Sequence, residues 1–479
     1  STLMRSSAAS DVYKRQSVHI SENGGRFVST EKRNENFMLK QSRYSKGKKN
    51  VKQYSKNNAS KKSGSGKNSY NAYYKKNDDG FQPKSNGKSN YGKKKYPSKS
   101  KGYPKKNAQK PSIKIAFLGG LNEIGKNITL VECENDIIII DCGMAFPDGD
   151  MLGVDLVIPD FTYIEQNADR VKGIILTHGH EDHIGGLPFL LSKVNVPIYG
   201  TPLTLGLVGN KLKEHSLYNQ SQLNVINAGQ SIKLGCMKID FIHVNHSIPD
   251  AVAFAIHTPG GTIVHTGDFK IDCTPITGDM IDLSSFARVG DEGVLALLSE
   301  STNAERPGYT PTERTVSDSL DNLFKSAENY RIIIATFASN VNRVQQIIDC
   351  AEKYGRKVAF SGRSMVNYMD VAQKLGYLHL PENILIDIDM LDKYMPQQVV
   401  LVTTGSQGEP MSALSRMAYS DHRKVMVGEG DFIIISANPI PGNEKTVGNV
   451  VDELLKKGCK VIYAVSYTHL RAHETELHL

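Results

Sequence analysis

The segment ILTHGHEDHIGG, residues 175–186, places several metal-binding side chains within a few positions of one another. It continues from residues 173–177, whose apolar run indicates a buried strand, and its glycines allow a tight turn. Imidazole and carboxylate groups are the ligands that zinc or manganese accepts at neutral pH. Because a tight turn can direct alternate side chains toward one point, the segment predicts a metal site. The candidate ligands are His178, His180, Asp182 and His183.

Three further segments supply candidates that follow or belong to predicted strands. HVNHSIPD offers His246, with His243 as a weaker alternative one turn earlier. TIVHTGDFKID offers Asp268, whose carboxylate could bridge two metal ions, and His265, which could equally be a buried histidine of its strand. Asp141 closes the run IIIID and is expected to hold a ligand histidine by its second ring nitrogen, although a carboxylate that caps the next turn fits the same pattern.

Residues 112–312 are predicted to form a domain rich in strands. Segments such as GLPFLLSKV and TPLTLGLVGNKLKEH predict helices between the strands. The excess of strands favours stacked sheets with helices outside. Runs of β-branched residues separated by Gly and Asn predict strands at residues 113–117, 128–132, 137–141, 173–177, 196–200, 232–244, 252–257 and 262–266.

Residues 313–465 show a regular alternation of helix and strand. Helical segments such as NRVQQIIDCAEKYG follow strand segments such as RIIIATFAS. Repeated strand, loop and helix units imply a mainly parallel sheet. The sequence therefore predicts an α/β protein with a second domain after about residue 312.

The net charge of +8 conceals an uneven distribution along the chain. Residues 41–110 hold 21 Lys or Arg against 2 Asp or Glu, whereas the residues from 111 onward carry a net charge of −14. Because aliphatic residues are almost absent from the basic segment, residues 17–111 are predicted to be a disordered extension. Its eight tyrosines among lysines suit loose contact with single-stranded nucleic acid, and a solubilising role explains the composition equally well.

The remaining features concern compartment and termini. Six cysteines without a CxxC pair indicate a reducing compartment. The sequence has no run of 18 apolar residues, so it predicts no membrane span. We therefore expect a cytoplasmic protein with no membrane partner. Residues 1–16 and 466–479 fit neither neighbour in pattern and resemble read-through of sequencing adapters, so we expect both segments to be non-native.

The motifs together resemble a known group of enzymes. The HxHxDH segment, with the later His246 and Asp268, resembles the metallo-β-lactamase superfamily. The segments LLSESTNAERPGYTPTE, GLNEIGKN, SGRSM, TTGSQGEPMSAL and SANPIPGNE resemble the ribonuclease J family, in the β-CASP group of that superfamily, over about residues 112–465. This resemblance implies an αββα sandwich with one or two metals at its rim, and an inserted β-CASP α/β domain.

The resemblance also implies roles for individual residues. One metal is expected to be held by His178, His180 and His246, and a second by Asp182 and His183, with Asp268 as the bridge. Glu300 matches an acidic residue that orients a ligand or a proton-transfer partner, and it completes the expected catalytic set of Asp182, His183, Asp268 and Glu300. The expected substrate-binding residues are Arg363, Ser364, Ser406 and Gln407. For Arg363, a structural ion pair is the alternative.

The function that the resemblance implies is metal-dependent hydrolysis of RNA phosphodiesters. It combines 5′ to 3′ exonuclease action on 5′-monophosphorylated RNA with endonuclease cleavage, in mRNA decay and rRNA processing. The implied cofactors are two divalent ions, with zinc expected and manganese or magnesium as alternatives. The implied partners are single-stranded RNA and further copies of the chain, in a dimer or a tetramer.

Three other interpretations also fit the sequence. The family pattern continues beyond residue 465 with an SGH-type histidine and a further ligand histidine, so we expect a fragment whose site lacks a ligand. An RNA-binding protein with an incomplete, inactive site would then bind RNA without cleaving it. A small-molecule metallohydrolase of the same fold would have no need of the second domain. Cleavage of DNA is a further alternative, which turnover on matched RNA and DNA strands distinguishes.

Overall fold

The computed structural model describes residues 17–20, 110–147, 151, 153–302, 304, 307, 310, 312–440 and 442–463. These residues belong to one compact unit. The adapter-like segments 1–16 and 466–479 lie outside them, as does nearly all of the predicted basic extension. The exceptions are residues 110–111 and Ser17–Ile20, the latter a strand that pairs antiparallel with residues 113–116. These four residues form a strand where disorder was predicted, because the neighbouring strand offers unpaired backbone groups to an extended segment.

The strands are numbered in chain order within the described residues. They are β1 Ser17–Ile20, β2 Ile113–Gly119, β3 Ile128–Cys133, β4 Asp136–Ile140, β5 Val171–Ile175, β6 Ile198–Gly200, β7 Leu223–Val225, β8 Ser231–Leu234, β9 Met237–His243, β10 Val252–Thr258, β11 Gly261–His265, β12 Ala296–Leu298, β13 Arg331–Ala335, β14 Lys357–Ser361, β15 Val399–Thr403, β16 Asp431–Ile435 and β17 Lys460–Tyr463.

The α-helices are numbered in the same way. They are α1 Thr162–Gln166, α2 Glu181–Ile184, α3 Leu187–Leu191, α4 Pro202–Glu214, α5 Leu283–Glu292, α6 Arg314–Ser326, α7 Val341–Lys353, α8 Arg363–Lys374, α9 Ala413–Ala418 and α10 Glu444–Lys456. Short 3-10 helices occur at Ala168–Arg170, Tyr218–Gln220, Ile388–Lys393 and Pro396–Gln398. None of the helices in the described ranges is long and apolar enough to cross a membrane.

Two sheets pack face to face in the first part of the chain. In the described residues, their strand orders are β1-β2-β3-β4-β5-β6-β7 and β12-β11-β10-β9-β8. Apolar side chains from both sheets, such as Ile138 and Phe254, fill the space between them. Helices α3 and α4 cover the outer face of the first sheet, and α5 covers the outer face of the second through Val289. The predicted αββα sandwich is confirmed.

A third sheet follows, with the order β14-β15-β13-β16-β17 in the described residues. Its neighbouring strands are parallel, as the repeated strand and helix units predict. Ile332 and Ile334 of β13 face the cluster that contains α6, α7 and α8, whereas Ile333 faces α9 and α10. Because both faces are covered by helices, these strands read as continuous apolar runs rather than as alternating ones.

The elements predicted for the first domain are found with one clear difference. Residues 232–244 form two strands, β8 and β9, instead of one. The chain reverses at Gly235, whose φ of +58° is a left-handed conformation that glycine adopts without steric cost. The short strands β7 and β12 and the helices α1, α2 and α5 of the first domain were not predicted, nor was α9 of the second, because each is short or carries mixed polar residues. The sequence pattern around them is that of loops.

Candidate metal centre

The predicted ligands lie on three loops at one edge of the sandwich. His178 and His180 follow β5, and Asp182 and His183 lie on α2, which begins directly afterwards. The other two ligands come from the second sheet: His246 follows β9 and Asp268 follows β11. Strands from both sheets thus end at the same edge, so residues far apart in sequence meet there.

A first set of donor atoms comes from three histidines. Nε2 of His178 lies 3.0 Å from Nδ1 of His180, and Nε2 of His246 lies 3.2 Å from the same His180 atom. One ligand atom from each of these three residues falls within 4.8 Å of the others. This set matches the three residues expected to hold the first metal.

A second set combines His178, His183 and Asp268, whose ligand atoms also fall within 4.8 Å of one another. Nε2 of His183 is 3.5 Å from Oδ1 of Asp268 and 3.5 Å from Oδ2 of Asp182. The other Asp268 oxygen is 3.9 Å from Nε2 of His246. The Asp268 carboxylate therefore lies between the two sets, in the position from which a carboxylate can bridge.

Burial controls the charge of the histidines. Burial lowers the pKa of His178 well below its ordinary value and lowers that of His180 to about 3, with neighbouring histidines adding to both shifts. Burial also lowers the pKa of His246, although the negative charge of Asp268 acts in the opposite direction. These rings are neutral at pH 7, which is the form that binds a metal ion.

His183 behaves in the opposite way. Burial alone would lower its pKa, but the carboxylates of Asp182, Asp268 and Asp141 together raise the pKa well above the ordinary value. Burial also opposes ionisation of Asp268, yet His183 and other histidines hold the pKa of Asp268 well below its usual range. The edge therefore carries negative charge at neutral pH, as a cation site requires.

Asp141 supports His183 from behind. Its Oδ2 accepts a hydrogen bond from Nδ1 of His183 at 2.8 Å, and its Oδ1 accepts one from the backbone N–H of Thr177 at 2.8 Å. Asp141 has a φ of +58°, which is uncommon for a residue other than glycine. This placement leaves Nε2 of His183 directed toward Asp182 and Asp268 and fixes its ring orientation.

Two supporting residues were not singled out in the sequence. Nδ2 of Asn127 donates to the backbone oxygen of Asp182 at 3.0 Å and lies 3.1 Å from Nε2 of His183. The hydroxyl of Thr177 donates to Asp141 at 2.8 Å and lies 3.0 Å from Nδ1 of His178. Asn127 belongs to the segment GLNEIGKN, so the motif indicated the region but not the residue.

Gly143 has a steric role beside these groups. A β-carbon at this position would overlap the backbone oxygen of Asp182. The chain after β4 can approach helix α2 only because Gly143 has no side chain.

Glu300 does not join the donor sets. Its Oε1 accepts a hydrogen bond from the N–H of Phe269 at 3.3 Å, and its Oε2 accepts one from the hydroxyl of Thr302 at 2.7 Å. Phe269 directly follows Asp268, so Glu300 holds the loop that carries this ligand. This placement fits the expected role of orienting a ligand, because Glu300 contacts the backbone of the residue that follows Asp268.

The two alternative histidines lie outside the donor sets. Nε2 of His243 lies 3.0 Å from the backbone oxygen of Asp279. Nδ1 of His265 accepts a hydrogen bond from the N–H of Gly267 at 3.1 Å, so His265 shapes the turn before Asp268.

The expected substrate-binding residues fall into two groups. Arg363 and Ser364 are exposed at the first turn of α8, and Arg363 lines a pocket with Ser361, His422 and Lys424. Ser406 and Gln407 are buried instead. The amide of Gln407 donates to the backbone oxygen of Asn438 at 2.9 Å and accepts from the N–H of Ile440 at 2.7 Å, so it joins two loops.

Comparison with known families identifies two domains. A family model described as "Metallo-beta-lactamase superfamily" matches residues 121–306. A second, described as "Ribonuclease J, beta-CASP domain", matches residues 329–454. The first match contains all six expected metal ligands, and the second contains Arg363, Ser364, Ser406 and Gln407.

Curated relatives give the same result over both domains. The chain is 48% identical over 355 residues to Ribonuclease J of Helicobacter pylori strain J99, which covers 74% of this chain and 51% of the relative. It is 44% identical over 372 residues to Ribonuclease J2 of Bacillus subtilis, covering 78% of this chain and 66% of the relative. For Ribonuclease J of Mycobacterium tuberculosis, the identity is 47% over 363 residues, covering 75% and 64%.

The chain thus spans about half to two thirds of the length of these relatives. Among solved structures, a protein of unknown function from Enterococcus faecalis aligns with a TM-score of 0.54 at 16% identity, covering 74% of this chain and 87% of that one. At this identity, the similarity concerns the fold alone.

Proposed function

Because the chain belongs to the metallo-β-lactamase superfamily and carries the β-CASP domain of the ribonuclease J family, we propose that it is a metal-dependent ribonuclease. The observation that carries the proposal is the meeting of His178, His180, His246, His183 and Asp268 at one edge of the sandwich, in two sets of donor atoms. The ribonuclease J match of the second domain supports RNA as the substrate. It favours a nuclease over a small-molecule hydrolase of the same fold.

The donor set fits two divalent cations. His178, His180 and His246 would hold one, and His183 and Asp182 would hold the other, with Asp268 shared between them. Neutral imidazoles with one or two carboxylates suit zinc, and manganese is the alternative with the same ligands. Bound divalent cations would supply Lewis acidity, which lowers the pKa of water and offsets negative charge on a phosphodiester.

The chain's own residues orient these groups. Asp141 keeps Nδ1 of His183 occupied, so only Nε2 of that ring faces the site. Glu300 fixes the backbone after Asp268, and Asn127 fixes the backbone of Asp182. The proposed catalytic roles of Asp182, His183, Asp268 and Glu300 are therefore ligand binding for the first three and positioning for Glu300.

Recognition of RNA is proposed at the first turn of α8. Arg363 and Ser364 are exposed there, and an arginine side chain and a helix N-terminus both suit a phosphate group. Ser406 and Gln407 would contribute through the shape of their loop, because the Gln407 amide is already bonded to Asn438 and Ile440.

The finer parts of the proposal concern mode of action and context. We propose 5′ to 3′ exonuclease action on 5′-monophosphorylated RNA together with endonuclease cleavage, in mRNA decay and rRNA processing. Assembly as a dimer or tetramer and a cytoplasmic location belong to the same proposal. All six cysteines are free thiols, which supports a reducing compartment.

The test is cleavage of single-stranded RNA labelled at its 5′ end, with zinc or manganese added. We expect the purified protein to shorten 5′-monophosphorylated RNA and to leave a matched DNA strand largely intact. His180→Ala should lose cleavage while it keeps RNA binding, and His243→Ala, outside the donor sets, should keep both. Metal-loaded protein that binds RNA but cleaves none would support the inactive RNA-binding alternative and overturn the ribonuclease proposal.

A further inference from the structure

Two tyrosines from the second domain reach the two loops that carry the histidine ligands of the first domain. They are Tyr368, in the middle of α8, and Tyr377, which follows the end of the same helix. Neither belongs to a motif that suggested a function, since both fit the apolar face of an amphipathic segment. Their hydroxyl groups nevertheless make specific hydrogen bonds across the domain boundary.

Tyr368 contacts the loop between two ligands. Its hydroxyl donates a hydrogen bond of 3.0 Å to the backbone oxygen of Gly179, the residue between His178 and His180. The ring is buried, with 7% of its surface exposed, so water does not replace this bond. Burial, together with Glu181 and Asp182, raises the pKa of Tyr368 well above its ordinary value, which keeps the hydroxyl protonated as a donor.

Tyr377 contacts the loop of the third histidine. Its hydroxyl donates a hydrogen bond of 2.8 Å to Oδ2 of Asp250, four residues after His246. The same carboxylate oxygen accepts the N–H of Leu203, in the first turn of α4, at 3.2 Å. Asp250 has a φ of +71°, a conformation that its neighbours must hold in place. Tyr377 therefore joins the second domain, α4 and the His246 loop at one carboxylate.

The helices that carry these contacts pack too closely to shift freely. A β-carbon at Gly206 of α4 would lie 2.7 Å from Cγ1 of Val371 and 3.1 Å from Cδ1 of Leu375, both on the segment that carries the tyrosines. Gly179 is confined in the same region, because a β-carbon there would lie 2.6 Å from Cδ1 of Leu207 on α4. The position of the second domain is thus transmitted to the ligand loops through rigid contacts.

We propose that Tyr368 and Tyr377, here called the tyrosine pair, are positioning residues of the metal centre. The second domain uses their hydroxyl groups to hold the His178–His180 loop and the His246 loop at the separation that a divalent cation requires. The β-CASP domain then contributes to metal binding as well as to RNA binding. The inference rests on the proposed metal site but not on the identity of the substrate.

The experiment compares Tyr368→Phe, Tyr377→Phe and the double variant with wild-type protein. The matched control is Tyr354→Phe, because among the described residues the Tyr354 hydroxyl hydrogen-bonds to Asp321 alone, within the second domain, at 3.2 Å from Oδ1. Zinc affinity is measured by competition with a chromophoric chelator, and RNA affinity by fluorescence anisotropy. We expect Tyr368→Phe to weaken zinc binding by about tenfold, near the lower end of the loss seen when partners of metal ligands are removed. The double variant should lose more, and Tyr354→Phe should match wild type.

Two further readouts separate positioning from loss of folding. The kcat of Tyr368→Phe should fall at limiting zinc and recover at saturating zinc, with the KM for RNA unchanged. Gly206→Ala, which keeps both hydroxyls but forces α4 and α8 apart, should weaken zinc binding as well. Zinc affinities of the tyrosine variants equal to that of Tyr354→Phe would overturn the inference. If wild type binds zinc, the tyrosine variants weaken it and no variant cleaves RNA, the inference stands and the ribonuclease proposal fails.

Discussion

Two regions of the molecule bury charged and polar side chains, and they do so in different ways. At the junction between the domains, Arg343 donates to Oε1 of Glu313 at 2.8 Å, and Lys270 lies 3.4 Å from the other oxygen of that carboxylate. Arg343 also donates to the hydroxyl of Ser436 at 2.6 Å. Each charge in this junction cluster, made of Lys270, Glu313 and Arg343, has an opposite partner within the chain.

The metal centre is built differently. Three neutral histidines point ring nitrogens at one another over 3.0 to 3.2 Å, and carboxylates surround a fourth. Imidazole nitrogens and carboxylate oxygens converge here within 4.8 Å of one another, and both are donor atoms that a divalent cation binds once the imidazoles are deprotonated. The comparison shows that burial alone does not indicate a ligand: the junction pairs each cation with an anion, whereas the candidate centre gathers several nitrogen and carboxylate donor atoms that suit a divalent cation.

The largest expected effect comes from removing a ligand at the metal centre. His180→Ala deletes a nitrogen common to both close contacts of the first set, so we expect hydrolysis to fall by roughly 10³-fold or more, beyond the 10–100-fold typical of residues behind the ligands. Single-turnover cleavage assays measure this loss. His243→Ala, on the strand that leads to His246, should retain near wild-type activity. Equal losses of activity in the two variants would show that His180 has no special role as a ligand.

A substitution in the junction cluster should lower the free energy of unfolding and leave the zinc content unchanged. Arg343→Met leaves Glu313 buried without its main partner, and breaking a buried pair in this way costs about 3 kcal/mol of unfolding free energy. Urea unfolding of the metal-free protein measures the change, and bound zinc is counted separately. If Arg343→Met lost zinc at a urea concentration where it remains folded, the junction cluster would also contribute to metal binding, which would contradict its purely stabilising role.

Asp141→Asn probes the support behind the metal centre. An amide cannot accept from Nδ1–H of His183 through its nitrogen, although its oxygen can still accept from Thr177. We expect zinc affinity to fall by about 10- to 100-fold, with the free energy of unfolding of the metal-free protein much less affected. Isothermal titration with zinc tests this, and an affinity equal to that of wild type would show that Asp141 has only a capping role.

The smallest expected effect is a pH dependence at the junction. Burial alone would raise the pKa of Glu313, but Arg343 and Lys270 together lower it below the ordinary 4.5. A lowered pKa means that ionised Glu313 stabilises the fold above about pH 4.5 and loses this contribution as the pH falls through its folded value. Thermal unfolding of metal-free protein between pH 7 and 3 should show a shallower decline in Glu313→Gln, and parallel curves would refute this cause.

Much of the candidate metal centre was predictable because the expected ligands are concentrated in one segment. Four of the six expected ligands lie in residues 178–183, and the other two follow β-branched runs that are recognisable as strands. Of His246 and His243, only His246 lies in a donor set, so this geometry favours the predicted choice. The hairpin at Gly235 was missed because residues 232–244 read as one uninterrupted strand.

What the sequence could not give was the set of contacts between distant elements. Asn127, Tyr368 and Tyr377 are ordinary residue types whose partners lie 55, 189 and 127 positions away. Gln407 was expected to contact substrate because its loop is motif-like, yet its amide joins two loops of the second domain. Such roles depend on which backbone groups the fold leaves nearby, and residue types do not encode that.

The most direct test of the proposed metal centre is a count of the metal ions bound per chain. Purified protein is saturated with zinc, freed of excess by gel filtration and analysed by mass spectrometry, alongside His180→Ala and His243→Ala. We expect two zinc ions per chain for wild type and His243→Ala, and a clear loss for His180→Ala. Folded wild-type protein that retains no zinc and no manganese, or a His180→Ala variant that retains both ions, would contradict it.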